Sequence, residues 1–187
     1  WRNKNLDFSS LKNLIESRKT LPSKIELGAS RQADDLKALI RLSHDKEIKE
    51  IANNSSKIKI LWETSQIPDF RNISEGEHTK MISHIFKRIC NEDQLSDEWL
   101  REKIKTCEKY YGDISTLSNR LAYIRTWTFI SQKSKWINNP DYWQKKTRLV
   151  EDKLSDALHE ALTDRFVDKG TNRLRLKYKD KKDILSG

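Results

Sequence analysis

The sequence predicts an all-α fold, a bundle of about seven to eight helices in one body or two packed helical subdomains, followed by a basic C-terminal tail. Three observations carry this reading. Only five Gly and three Pro occur in 187 residues, fewer than the turns of all-β folds and the phosphate loops of α/β folds require. Apolar residues recur at three- and four-residue spacing in one segment after another. Six Trp, five Phe and five Tyr supply bulky anchors in a chain that is 35% charged, so a core forms beneath a heavily charged surface.

Phe8, Leu11, Leu14 and Ile15 follow Asp7 at helical spacing and predict a short amphipathic helix over 8–18, closed by Pro22. A second helix is expected over 30–43, with Ala33, Leu36, Leu39 and Ile40 on one face and Asp34 and Asp35 near the positive end of its dipole. Ile48, Ile51 and Ala52 make a turn or two before Asn53 and Asn54 interrupt them. The β-branched stretch Ile58, Ile60, Leu61, Trp62 and Ile67 has no second strand to pair with, and reads as a helix ending before Pro68.

Ser74 and Glu77 have capping-box spacing and introduce the stripe His78, Met81, Ile82, Ile85, Phe86 and Ile89. Ser96, Asp97 and Glu98 start a helix carrying Trp99, Leu100, Ile104 and Cys107, with Gly112 expected at its left-handed end. The stripe resumes from Ile114 through Leu117, Leu121, Ile124, Thr128 and Ile130. Asn139 followed by Pro140 marks an N-cap and first helical position, and the helix they open is expected to run from 141 to 168, through Trp143, Val150, Leu154, Leu158, Leu162 and Phe166. After Gly170 the pattern gives way to Arg173, Arg175, Lys177, Lys179, Lys181 and Lys182, expected to form a flexible or surface-laid tail. The organisation is therefore an N-terminal helical part over 1–72, a main bundle over 73–168, and the tail over 169–187.

A net charge of +9 and an isoelectric point near 9.5 favour a polyanionic partner, because Lys and Arg that neutralise phosphates release condensed counterions. No apolar run reaches the roughly 18–20 residues needed to span a bilayer, no signal peptide is apparent, and Cys90 and Cys107 lack metal-ligand spacing or a disulfide framework. The sequence is thus read as a soluble, cytoplasmic module with no membrane partner. Trp1 to Asn5 read as an internal junction rather than a natural start, so the chain is expected to be part of a longer one.

Catalytic motifs are missing at the level of sequence. There is no Gly-rich phosphate loop with its Lys and Ser or Thr, and His44, His78, His84 and His159 are scattered, with no second His one turn from His159. Adjacent carboxylates such as Asp34 and Asp35, or Glu151 and Asp152, point to different helix faces and read as solvated surface. Catalytic residues, cofactor and metal are therefore expected to be none in this segment. The stretch 120–143 is more informative, since Arg120, Arg125, Lys133 and Lys135 interleave with Tyr123, Trp127, Phe129, Trp136, Tyr142 and Trp143. Cations that track phosphates, mixed with aromatic faces that stack bases, are the means of single-strand binding. Helical spacing also makes Trp127 and Trp143 candidates for packing, and surface ion pairing is the alternative role for Arg125, Arg148 and Arg165. The candidate nucleic-acid contacts are Arg120, Arg125, Trp127, Lys133, Lys135, Arg148 and Arg165.

Several strings resemble one family: Asp7-Phe-Ser-Ser-Leu11, Ala33-Asp-Asp-Leu36, Leu61-Trp-Glu63, Gln66-Ile-Pro-Asp-Phe-Arg71, Gly112-Asp-Ile114, Ile124-Arg-Thr-Trp127, 137–143, 151–160 and 162–168. Together they resemble the C-terminal region of α-proteobacterial-type superfamily 2 helicases related to the mitochondrial degradosome RNA helicase, over residues 6–168. The resemblance implies two upstream RecA-like motor domains, absent here, that bind ATP and Mg, and a helical region that closes a channel over single-stranded RNA or DNA. A docking module that braces the motor or recruits a partner protein is the alternative. The chain departs from the family pattern after Asp168, where Lys169-Gly170 and the Lys-rich stretch are expected to break the helix.

Overall fold

The computed structural model describes residues 6–19 and 26–185, with side chains described for all of these except 26–33 and 176–185. Pro22, the junction at 1–5, the Ala33 side chain and the lysine side chains beyond Arg175 fall outside that description. Among the described residues eight helices occur in order: α1 Leu11–Lys19, α2 Glu26–Leu42, α3 Lys46–Ile51, α4 Ser55–Ser65, α5 Glu75–Glu92, α6 Asp97–Lys105, α7 Ile114–Ser131 and α8 Pro140–Leu185. There is no strand among the described residues, only a single bridge from Leu95 to Ile137, where Leu95 N–H donates to the Trp136 carbonyl at 2.7 Å.

Side-chain caps define most helix starts, because the first turn of a helix leaves its N–H groups without intrahelical partners. Asp45 accepts from the Glu47 and Ile48 amides, Asn54 from Lys57, Ser74 from Glu77, Ser96 from Trp99 and Asp113 from Thr116. Asn54 therefore both interrupts the preceding turn and starts α4. The opening of α8 differs: the Asn139 carbonyl accepts the Trp143 amide at 3.1 Å, while its side-chain amide donates to Asp97.

Three sequence expectations are corrected. The second helix begins at Glu26, so Asp34 and Asp35 sit mid-helix rather than at its positive end. Gly112 does not close α6, which ends at Lys105 with Thr106 as C-cap. It instead turns the chain into α7 with a φ of +135°, and a Cβ there would come within 3.2 Å of the Thr116 side chain. The tail after Gly170 is neither loose nor a helix break, since α8 passes through Gly170 without interruption. One exposed glycine costs a helix only about 1 kcal/mol relative to alanine, and the Leu, Arg and Lys residues beyond it are strong helix formers.

Two apolar clusters make up the core. The first joins Leu14 of α1, Leu39 and Leu42 of α2, Ile48 of α3 and Ile58, Leu61 and Trp62 of α4 to Ile82 and Phe86 of α5. The second joins Ile85 and Ile89 of α5 to Leu100 and Ile104 of α6, to Leu121, Ile124, Trp127 and Ile130 of α7, and to Trp143, Val150 and Leu154 of α8. Helix α5 is thus shared, one stripe facing each cluster.

Helices α7 and α8 run antiparallel. Ser131 meets Thr147 with hydroxyls 3.4 Å apart, and the Thr128 hydroxyl donates to Glu151 at 3.0 Å. Continuing at that register, Ile114 at the start of α7 lies level with Asp164 and Arg165, and Ala161, level with Leu117, is the last partly buried residue described on α8. From Leu162 through Arg175 every side chain is exposed. Residues 166–185 of α8 therefore extend past the start of α7 for about 30 Å, at 1.5 Å per residue.

Candidate nucleic-acid interface

The seven candidate residues divide by what their side chains already hold. Trp127 is 2% exposed and lies edge-on to Trp99 and Tyr123, at centroid distances of 5.4 and 5.7 Å. Its ring fills the core, the packing role its helical spacing allowed, and offers no face to a base, which removes Trp127 from the candidate nucleic-acid contacts. Trp143, whose packing role was an expectation, is likewise buried, and its indole N–H donates to Asp97 Oδ1 at 2.8 Å.

Arg120 is committed to the loop before α7. Its Nη1 donates to the Lys109 carbonyl at 2.8 Å and the Tyr111 carbonyl at 2.6 Å, and its guanidinium lies 5.9 Å from the Tyr111 ring centre. Arg125 reaches across to α8, Nε donating to Glu151 Oε1 at 3.3 Å. Lys133 is half-buried, with its ammonium within 6 Å of both the Phe129 and Trp136 rings. Lys135, Arg148 and Arg165 are exposed, and none forms an ion pair with another described residue. At about 100° per residue, Arg120 and Arg125 are separated by about 140° around α7, and Arg148 and Arg165 by about 100° around α8. The seven therefore do not form one patch.

The structure instead assembles an aromatic row bordered by cations that the sequence did not single out. Arg71 lies 4.6 Å over Tyr123, and Arg88 and Lys103 lie 5.0 and 5.4 Å from Trp99, with Trp127 packed between the two half-buried rings. These residues come from four places: the loop before α5, then α5, α6 and α7. Arg88 also pairs with Glu92 one turn along α5. The row can offer cations to a phosphate backbone, but its ring faces are already covered.

A concavity lies between α2, the loop after α4, α5 and α7, with a volume near 700 Å³ and a lining that includes Asp34, Arg41, Asp69, Phe70, His78 and Phe129. His78 Nε2 is 3.0 Å from the Ile67 carbonyl, which accepts from it, and burial pushes the imidazole below its usual range against the opposing pull of Asp69. Burial likewise raises the thiols of Cys90 and Cys107 to about 11, so both are protonated at neutral pH and poor nucleophiles. Among the described residues no group of three or more His, Cys, Asp or Glu side chains is placed to hold a metal, and no helix is long and apolar enough to cross a membrane. No family model, curated protein or solved structure matches this chain, so the arrangement of its own residues carries the functional reading.

Proposed function

We propose that this chain is a helical accessory module of a superfamily 2 RNA or DNA helicase, holding single-stranded nucleic acid against RecA-like motor domains that would bind ATP and Mg. The sequence resemblance supports this parentage. The observation that supports strand contact is the exposure of Lys135, Arg148 and Arg165 without acidic partners, on a chain of net charge +9. With Trp127 and Trp143 in the core, the contact rests on phosphate neutralisation, so binding is expected to be strongly sensitive to salt.

Fluorescence anisotropy of a labelled single strand, titrated with the chain over a series of salt concentrations, tests this. Each phosphate contact on single strands contributes about 0.7 to the slope of log affinity against log salt. The triple variant Lys135→Ala, Arg148→Ala, Arg165→Ala is expected to lower that slope by about 2. No binding at low salt, or a slope unchanged in the triple variant, refutes the reading.

The alternative of a docking module has one specific observation in its favour. Leu162, Phe166, Val167 and Leu174 are exposed on the C-terminal half of α8, where large apolar side chains bring little core stabilisation.

A further inference from the structure

From Leu162 to Arg175 every side chain of α8 is exposed, yet this surface is not uniformly polar. Phe166 is 80% exposed, and Leu162, Val167 and Leu174 are each close to half exposed or more. Leu162, Phe166, Gly170 and Leu174 fall four residues apart and form one row that drifts about 40° per step. Val167 sits beside Leu174 at the row's edge. Gly170 leaves a bare notch in this row, since a Cβ built there meets nothing within 4 Å.

The face that α8 turns to α7, carrying Trp143, Val150 and Leu154, lies about half a turn around the helix from this row. A helix laid along the row therefore does not meet its own bundle.

Charge along α8 is segregated. Residues 151–168 hold six carboxylates and two Lys or Arg, whereas residues 169–185 hold seven Lys or Arg and two carboxylates. Two such helices side by side in parallel would set like charge against like. In the antiparallel sense each acidic half lies along a basic half. The midpoint of 151–185 is Asp168, and a two-fold axis at that level brings Leu162 of one helix to Leu174 of the other. The same axis brings Phe166 to Gly170, a large ring opposite a residue without a side chain. Asp168 itself is on the side away from the row, so the two carboxylates do not confront each other at the axis.

We propose that α8 over residues 151–185 pairs antiparallel with the same segment of a second copy of this chain, on a two-fold axis level with Asp168, with Phe166 of each copy lying over Gly170 of the other. This interface does not depend on the nucleic-acid reading. It buries a row of large apolar side chains that the described fold leaves uncovered on the C-terminal part of this helix.

Sedimentation equilibrium of the full chain without nucleic acid, from low to high micromolar concentration, is the test. The mass is expected to rise with concentration from the 22.1 kDa of one chain toward twice that value. Phe166→Asp and Gly170→Leu are both expected to weaken association at least tenfold. Gly170→Leu favours the helix itself, so loss of the dimer in that variant is not loss of fold. Mixing a Leu162→Cys chain with a Leu174→Cys chain under oxidation is expected to give a crosslink between the two positions in preference to self-linked pairs. A chain that is monomeric at every concentration, its apolar row then left to a motor domain or another protein, overturns the proposal. So does a dimer indifferent to both substitutions, or one in which each cysteine variant links to itself.

Discussion

Removing the Asp97 carboxylate tests how the start of α8 is fastened to α6. Asp97 is the first residue of α6, and its two oxygens accept hydrogen bonds from the Trp143 indole and the Asn139 amide, each at 2.8 Å. Trp143 is 2% exposed, so the Asp97→Ala variant leaves a buried indole N–H without its partner. A hydrogen bond to a charged acceptor contributes about 1.5–3 kcal/mol, and a carboxylate in the first turn of a helix adds about 0.3–1 kcal/mol through the dipole. The expected loss is about 2–4 kcal/mol, which for a chain of this size lowers the melting temperature by about 4–16 °C. Asp97→Asn, which keeps an acceptor and loses the charge, should lose less. Urea unfolding of both variants, and of Trp143→Phe alone and combined with Asp97→Ala, isolates the pair, with a coupling energy of about 1–2 kcal/mol expected. A melting temperature within about 1 °C of the parent for Asp97→Ala, or strictly additive losses in the cycle, would sink the argument.

Arg120→Ala frees the carbonyls of Lys109 and Tyr111, and should cost about 1–2 kcal/mol in denaturant unfolding while leaving single-strand affinity in the anisotropy assay unchanged. Because burial lowers the His78 pKa, the unfolded chain binds a proton there before the folded one does. Stability is therefore expected to be full above the ordinary imidazole range and to fall as pH drops through it toward the lowered folded value; urea midpoints measured against pH should show this decline, and His78→Gln should flatten it. Gly170→Pro should break α8 and reduce the far-ultraviolet helical signal, while Gly170→Ala should raise it slightly; an unchanged signal in the proline variant would contradict a helix continuous through this position.

Local chemistry made most of the fold readable. Ser74, Ser96 and Asn139 with Pro140 marked starts that the structure places within a residue, because a capping oxygen or a proline acts on its immediate neighbours. Breakers were harder to weigh. Gly112 and Gly170 look alike in sequence, but one turns the chain at positive φ and the other lies inside a helix. The difference comes from the residues on their C-terminal side, Asp113 as an N-cap in the first case and a run of helix formers in the second.

The candidate site was less readable for a related reason. Periodicity identifies Trp127 and Arg120 as helix residues, but not that the ring would fill the space between Trp99 and Tyr123, nor that the guanidinium would be taken up by two loop carbonyls. Arg71, Arg88 and Lys103 escaped notice because the aromatic row they border is assembled across long sequence separations. Their neighbours in sequence carry no sign of it.

Helix α5 presents Ile82 and Phe86 to one cluster and Ile85 and Ile89 to the other. A chain severed between residues 72 and 73 would leave the first piece without the wall that closes its core, and the second with two bare apolar side chains. Limited digestion there should yield no pair of independently stable fragments, and heating the intact chain should give one calorimetric transition rather than two. A shift in either cluster would be passed to the other through α5.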